Sequence, residues 1–302
     1  MGFANIARPQ VEAFAHVSRR LAFIIISVAL QMSNTKAVLS AIKDGLSPAR
    51  MATYEAAVHI KGDGDPRAVA LYTWNAQVSA ALFIPLHFCE VVVRNAAADA
   101  LEAVYGGRWP WNPVFILSLP DPQHPNIYNP RANLNKVASQ QPSTGKVIPE
   151  LNFVFWQELF THRHDVRLWD SHLKRVFPEH DPKKAMVAIR KSIYADLDVI
   201  RKLRNRIAHH EPIFTRNLKQ DLERMHELVR LRSKLVASWM MINQIADIVV
   251  SQLPLFRGGK LWNASHEEIA EVAYRLWVEE GSRDGGADRD WFEAKKLLGL
   301  SN

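Results

Sequence analysis

A chain of 302 residues, 48% hydrophobic and 23% charged, holds enough apolar material for a substantial core and has the composition of a folded protein rather than a disordered one. Thirty-eight Lys and Arg against 31 Asp and Glu leave a formal charge of +7 and a pI near 9.5, which favours a polyanionic partner, nucleic acid ahead of an anionic membrane surface. Cys89 is the single cysteine, so an intramolecular disulfide and a thiolate zinc cluster are excluded and a reducing compartment is expected.

Residues 1–31 are expected to be an N-terminal extension, either upstream of a natural start at Met32 or folded as an extra helix. The apolar run behind Arg19 and Arg20 is about ten residues long, against the roughly 20 that a membrane-spanning helix needs. Ser47 before Pro48 forms an N-cap with proline at the first helical position, and 61–66 reads as a turn. From Pro66 to Tyr105, Leu71, Trp74, Val78, Leu82, Leu86, Val93, Ala97 and Leu101 recur at helical spacing; Pro85 should kink this helix or split it in two. Eight of the sixteen prolines fall between Pro110 and Pro149, so 106–149 is expected to be an irregular excursion of the kind that contacts substrate. Asp181 and Pro182 should open a helix running from Lys183 to His209, and another should span Leu218 to Val250. Residues 254–264, with Pro254, Gly258 and Gly259, read as a linker. Beyond it, Ser265 and Glu268 have capping-box spacing, and two short amphipathic helices make a C-terminal hairpin over 265–302. No strand-like alternation stands out, and the fold class is all-α.

Chemistry concentrates in "RKLRNRIAHHEPIF", residues 201–214. At 100° per residue, Leu197, Ile200, Leu203 and Ile207 share an arc of about 120°, and Arg204 falls inside it. A guanidinium on a packing face is costly unless it is paired or faces a polar pocket, so Arg204 is expected to be buried for a reason. Arg201, Lys202 and Arg206 read as solvated charges. Pro212 should end the helix near His209–Glu211, which places His209 and His210 at a helix C-terminus, where the partial negative charge favours the protonated imidazole. Capping of the last carbonyls is the plainer use of such histidines.

Other clusters are weaker. His162, His164, Asp165 and His172 diverge and lack compact metal-ligand spacing, so no metal and no cofactor are expected. Trp109 and Trp111, beside Arg108, suit either base stacking or a core cap, the latter preferred. Glu90 and Arg94 are four apart on one helix and can pair.

The stretch "LRNRIAHHEPI" resembles the signature of the Abi-like (abortive-infection) proteins of the HEPN superfamily of helical domains. Arg204-Asn205 followed by His209 matches its Arg-Asn-x3-His element, and His210 gives the next spacing. "LYTWNAQVSAALFIPLHFCEVVVRNAAADAL", "GGRWPWN" and "ELNFVFWQELF…LWDSHLKRVFP" resemble further parts of that family, which together cover roughly residues 46–245. The resemblance implies a HEPN-like helical bundle over 32–253 and metal-independent endoribonuclease activity of a phage-defence or toxin type in the cytoplasm. It implies Arg204, Asn205 and His209 as the catalytic set and a homodimer with a composite site. His210, Glu90 and Arg94 would support that set, Glu90 by orienting Arg204 or His209. Arg201, Arg206, Arg108 and Trp109 would contact RNA, and an antitoxin or regulatory protein is a further partner. The alternative is a non-catalytic RNA-binding or protein-interaction module. The C-terminal hairpin separately resembles a small bacterial helical family of unknown function.

Overall fold

In the computed structural model, residues 36–59, 65–252, 256–257, 260–261, 270, 272–274, 276–277 and 287–297 are described. The N-terminal extension 1–31 and most of the linker 254–264 lie outside them. The regular secondary structure of the described residues is helical apart from a two-residue antiparallel ribbon in the linker, where Phe256 pairs with Leu261 and Arg257 with Lys260. The chain divides into two units, residues 1–75 with 252–302 and residues 76–251.

In the first unit, α1 (Lys36–Leu46) is followed by α2 (Pro48–Ala57). Ser47 caps α2 as the sequence predicts, its hydroxyl accepting from the Arg50 amide at 3.4 Å, with Pro48 at the first helical position. Tyr54 meets Tyr72 edge to face at 5.1 Å, and burial pushes its phenol up to about 12. In the C-terminal part of this unit, α13 (Ala287–Leu297) buries Ala294 against Val272, Ala273, Leu276 and Trp291.

The boundary between the units falls within α3 (Arg67–Tyr105), a helix of 39 residues that continues through Pro85 without splitting. By length and composition α3 is apolar enough to cross a membrane, and 39% of its most apolar window is buried within the protein. Gly106, at φ +83°, ends it with the left-handed turn that glycine tolerates best.

The proline-rich segment is irregular over residues 119–129 but helical over most of its remainder. It forms a 3₁₀ turn (Trp109–Trp111), α4 (Pro113–Ser118), α5 (Pro130–Gln140) and α6 (Thr144–Glu150). The expectation failed because Pro113 and Pro130 occupy first helical positions, where a missing N–H costs nothing, and an asparagine precedes each. Asn112 Oδ1 accepts from the amide of Val114 at 2.9 Å, and Asn129 Oδ1 from that of Ala132 at 2.8 Å. Trp109 is fully buried among Phe115 and Trp156, at 5.6 and 6.2 Å between ring centroids. It caps a core and has no face left for a base.

Next come α7 (Phe153–Glu158), a 3₁₀ turn (His162–His164), a π turn (Asp165–Trp169) and α8 (Asp170–Val176). Phe160 stacks on Trp169 at 4.4 Å, and the Trp169 indole donates to the Leu159 carbonyl at 2.6 Å. Then α9 (Met186–Ala208) packs against α7, α8 and α10 (Leu218–Arg232). It starts later than Lys183 because Asp181 Oδ1 takes the Lys183 amide at 2.9 Å into a local turn. The helix expected over Leu218–Val250 is three: α10, α11 (Lys234–Ile242) and α12 (Ala246–Ser251). Ser233, in an extended conformation, stops α10 and caps α11 by accepting from the Val236 amide at 3.3 Å.

Arg190, buried on α9, is the principal charged residue in this core. Its Nη1 donates to the Phe160 carbonyl at 2.9 Å, its Nη2 to Asp165 at 3.2 Å, and its Nε lies 2.7 Å from Asp165 Oδ1. Arg190→Ala strands a carboxylate and a carbonyl, and should lower stability by about 3 kcal/mol in urea unfolding, whereas a loss below about 1 kcal/mol would place this pair outside the core's stability.

Candidate functional site

The last two turns of α9 bury Ile200 and Leu203 completely and Ile207 nearly so. Arg204, contrary to expectation, is exposed. It lies about 60° around the helix from Ile207 and about 100° from Leu203. Near its C-terminus α9 is covered only on the side of those two residues, so the arc drawn through Leu197 was too wide. Neither Arg204 nor the imidazole of His209, also exposed, makes a side-chain hydrogen bond or ion pair among the described residues.

The helix stop is specific. His209 is the C-cap, and His210 takes φ +55° in the left-handed region. The His210 amide donates to the Ile207 carbonyl at 3.0 Å and the Glu211 amide to that of Arg206 at 2.8 Å, the paired bonds of a Schellman motif. Glycine usually fills this left-handed position, and a side chain there costs roughly 1 kcal/mol. Pro212 follows, Ile213 is fully buried, and Arg216 binds both oxygens of buried Asp221 at 2.9 and 3.2 Å and the Val199 carbonyl at 3.4 Å. The turn after the histidines is thereby tied to α9 and α10. Arg206 Nε lies 3.5 Å from Glu211, a loose pair across the same turn.

Arg201 is not a freely solvated charge. Its Nε donates to Gln157 Oε1 at 2.6 Å and its Nη2 to Asp198 Oδ1 at 2.8 Å; Asp198 also meets Lys202 at 2.6 Å. The hydrogen bond from Lys202, helped by those from Arg201 and Gln157, holds the Asp198 carboxyl below its usual range. Beside them, burial pushes the Glu158 carboxyl up, against a hydrogen bond from Tyr194 and the charge of Arg201. Tyr194, Asp198, Arg201 and Asn205 lie within about 60° of one another, away from Ile200 and Leu203. Sequence reading missed this polar stripe, although the i, i+4, i+7, i+11 spacing was there to find it.

The other expected residues are dispersed. Arg108 lies over the Trp111 ring at 4.9 Å, and the Trp111 indole donates to the Ala138 carbonyl at 3.1 Å. Glu90 and Arg94 are half-buried and do not pair; the Arg94 Nε is buried without a hydrogen-bond partner. Neither bonds to Arg204 or His209. Their helix does approach α9: burial, with the negative charges of Glu90 and Asp196, pushes the Cys89 thiol up, so Cys89 lies near Asp196, about two turns before Arg204. Among the described residues no cluster of three His, Cys, Asp or Glu could hold a metal ion.

Residues 264–298 match the model of a family described as a protein of unknown function (DUF2934). That match lies wholly outside residues 46–245, on which the resemblance to Abi-like proteins rests. No curated protein and no solved structure matches the chain.

If His210 served only to stop the helix, glycine would do better. His210→Gly should raise unfolding stability by roughly 1 kcal/mol in urea melts, and a loss of stability would show that the histidine side chain holds the turn.

Proposed function

We propose that the chain is a metal-independent endoribonuclease of the HEPN type, with Arg204, Asn205 and His209 as its reacting set. The observation that carries this reading is the helix end itself. An exposed guanidinium and an exposed imidazole are displayed at the same terminus, on a turn closed by a left-handed histidine and fixed by Ile213 and Arg216. Strain of this kind is tolerated where a side chain is needed for more than the turn.

The chemistry follows from what these groups can do. A ribose 2′-oxygen forms a bond to the adjacent phosphorus and loses its proton to His209, while the bond from phosphorus to the 5′-oxygen breaks. The products are a 2′,3′-cyclic phosphate and a 5′-hydroxyl. The departing 5′-oxygen needs a proton, which a second imidazole, in its protonated form, supplies. Two copies of the chain, facing helix end to helix end, provide one histidine as base and another as acid, so the site is completed in a homodimer. Arg204 stabilises the charge on the phosphoryl oxygens with its planar donor fork, and Asn205 bonds to phosphate or holds the geometry. The nucleophile belongs to the substrate, so no cofactor is needed. The setting is a cytoplasmic toxin or abortive-infection protein restrained by an antitoxin or regulatory partner.

One observation favours a second reading. Nothing described within a single chain orients the His209 ring, as suits a module that binds RNA or protein without turning it over. Incubation of labelled RNA with the protein in EDTA decides between them. Wild type should cut and leave cyclic-phosphate ends, and His209→Ala and Arg204→Ala should each lose about 100-fold or more in rate while retaining their helicity. Binding by all three proteins without cleavage by any would leave the binding module.

A further inference from the structure

Helix α3 carries no Asp, Glu, Lys or Arg from Ala68 to Cys89, yet only one side of that stretch is buried. Val78, Leu82, Leu86, Cys89 and Val93 face the core, whereas Ala76, Ala80, Phe83, Ile84 and His87 are exposed on an arc of about 100°. Beside this arc, Phe88 meets Trp239 of α11 edge to face, with ring centroids 4.7 Å apart. Trp239 is itself 51% exposed and stands within about 60° of Leu235 (83% exposed) and Ile242 (49% exposed) on α11. One apolar face therefore runs across both helices. At about 150–250 Å² for a fully exposed residue of this size, Phe83, Ile84, Leu235, Val236, Trp239 and Ile242 leave on the order of 600 Å² open. That reaches the top of the roughly 300–600 Å² typical of the largest apolar patch on a monomer.

We propose that this face is the interface of a symmetric homodimer, the α3–α11 surface of one copy lying against the same surface of another. Two such faces bury about 1,200 Å² together, which meets the lower bound for a specific interface before any polar rim is counted. The charge pattern selects a second copy over other occupants. The cations leading into α11 are taken, Arg232 by Asp99 at 2.5 Å and Lys234 by Glu179 at 2.6 Å. An RNA strand or an anionic membrane surface needs unpaired cations beside the apolar residues. Nor does α3 leave this unit to cross a bilayer, because its inner face is buried and Asp99 ties it to Arg232. A face with no Asp, Glu, Lys or Arg of its own meets its copy across a twofold axis without opposing like charges.

The same face lies at the Arg204 end of the unit. Cys89 is near Asp196, which takes Arg224 at 2.7 Å; further along, Asp99 takes Arg232. Helix α3 therefore runs with α10. Helix α9 runs against both, since Arg216, ahead of α10, reaches the Val199 carbonyl. At about 1.5 Å per residue, Phe83 and Ala80 fall level with the last two turns of α9. Pairing through this face brings two such helix ends together. The surface stands without the nuclease reading; only its use in completing a site rests on that reading.

Sedimentation of the full chain across a micromolar range, beside Phe83→Glu and Leu235→Glu, tests the interface. Wild type should sediment as a dimer of the 34.3 kDa chain. Each substitution places a carboxylate twice across the axis, and should weaken the dimer at least about 100-fold without changing helicity. A monomeric wild type overturns the proposal, as do dimers in both variants as tight as that of wild type. Flotation of wild type with phosphatidylcholine or phosphatidylserine vesicles, lost in the two variants, would give the face to a membrane instead. A wild-type dimer that cuts no RNA would keep the interface and remove the nuclease; monomeric variants that cut at the wild-type rate would keep the interface and remove the composite site.

Discussion

The termination of α9 governs the arrangement around it. Two backbone hydrogen bonds close the helix over a left-handed His210, and Pro212 bars its continuation. Burial of Ile213 then fixes where the chain goes next, and Arg216 ties the new direction to Asp221 on α10 and to the Val199 carbonyl on α9. A helix that frayed there would release Arg204 and His209 into different places on every molecule. Because it stops cleanly, the backbones of the two groups are fixed at one terminus, which is the prior condition for any chemistry they perform.

What the sequence made legible was the part governed by local rules. The Ser47–Pro48 cap, the length of α3, the stop before Pro212 and the α9 packing residues Leu197, Ile200, Leu203 and Ile207 follow from capping, proline and helical period. Where the reading failed, a second local rule competed with the first. Proline density between 110 and 149 read as disruption, but an asparagine ahead of Pro113 and Pro130 turned each proline into a helix start. Ser233 divided a continuous apolar period by capping a new helix, and Asp181 held back the start of α9 by binding an amide in a turn.

The candidate site residues were picked out by the sequence, but their burial was not. Helical geometry put Arg204 near Ile207 and Leu203, but which arc of a helix end is covered depends on its neighbours, and these leave Arg204 in water. The same holds for Arg201, which a charge count treats as solvated and which three-dimensional packing joins to Gln157 and Asp198. His164 is the opposite case: a histidine dismissed as a poor metal ligand turns out to be buried in a cavity wall, where burial lowers its pKa to about 4. The two regions are linked along α9 by Tyr194, Asp198, Arg201 and Asn205.

The chemical claim at the centre of this account is that the substrate's own 2′-hydroxyl is the nucleophile. The most direct measurement compares, in EDTA, the cleavage rate of a short RNA with that of the same strand carrying a single 2′-deoxy residue immediately 5′ of the mapped cut. The account predicts that cleavage at that bond disappears while binding of the strand is retained. Cleavage of the deoxy-substituted bond at the rate of the all-ribose strand would contradict it, because water or another group would then have to be the attacking species.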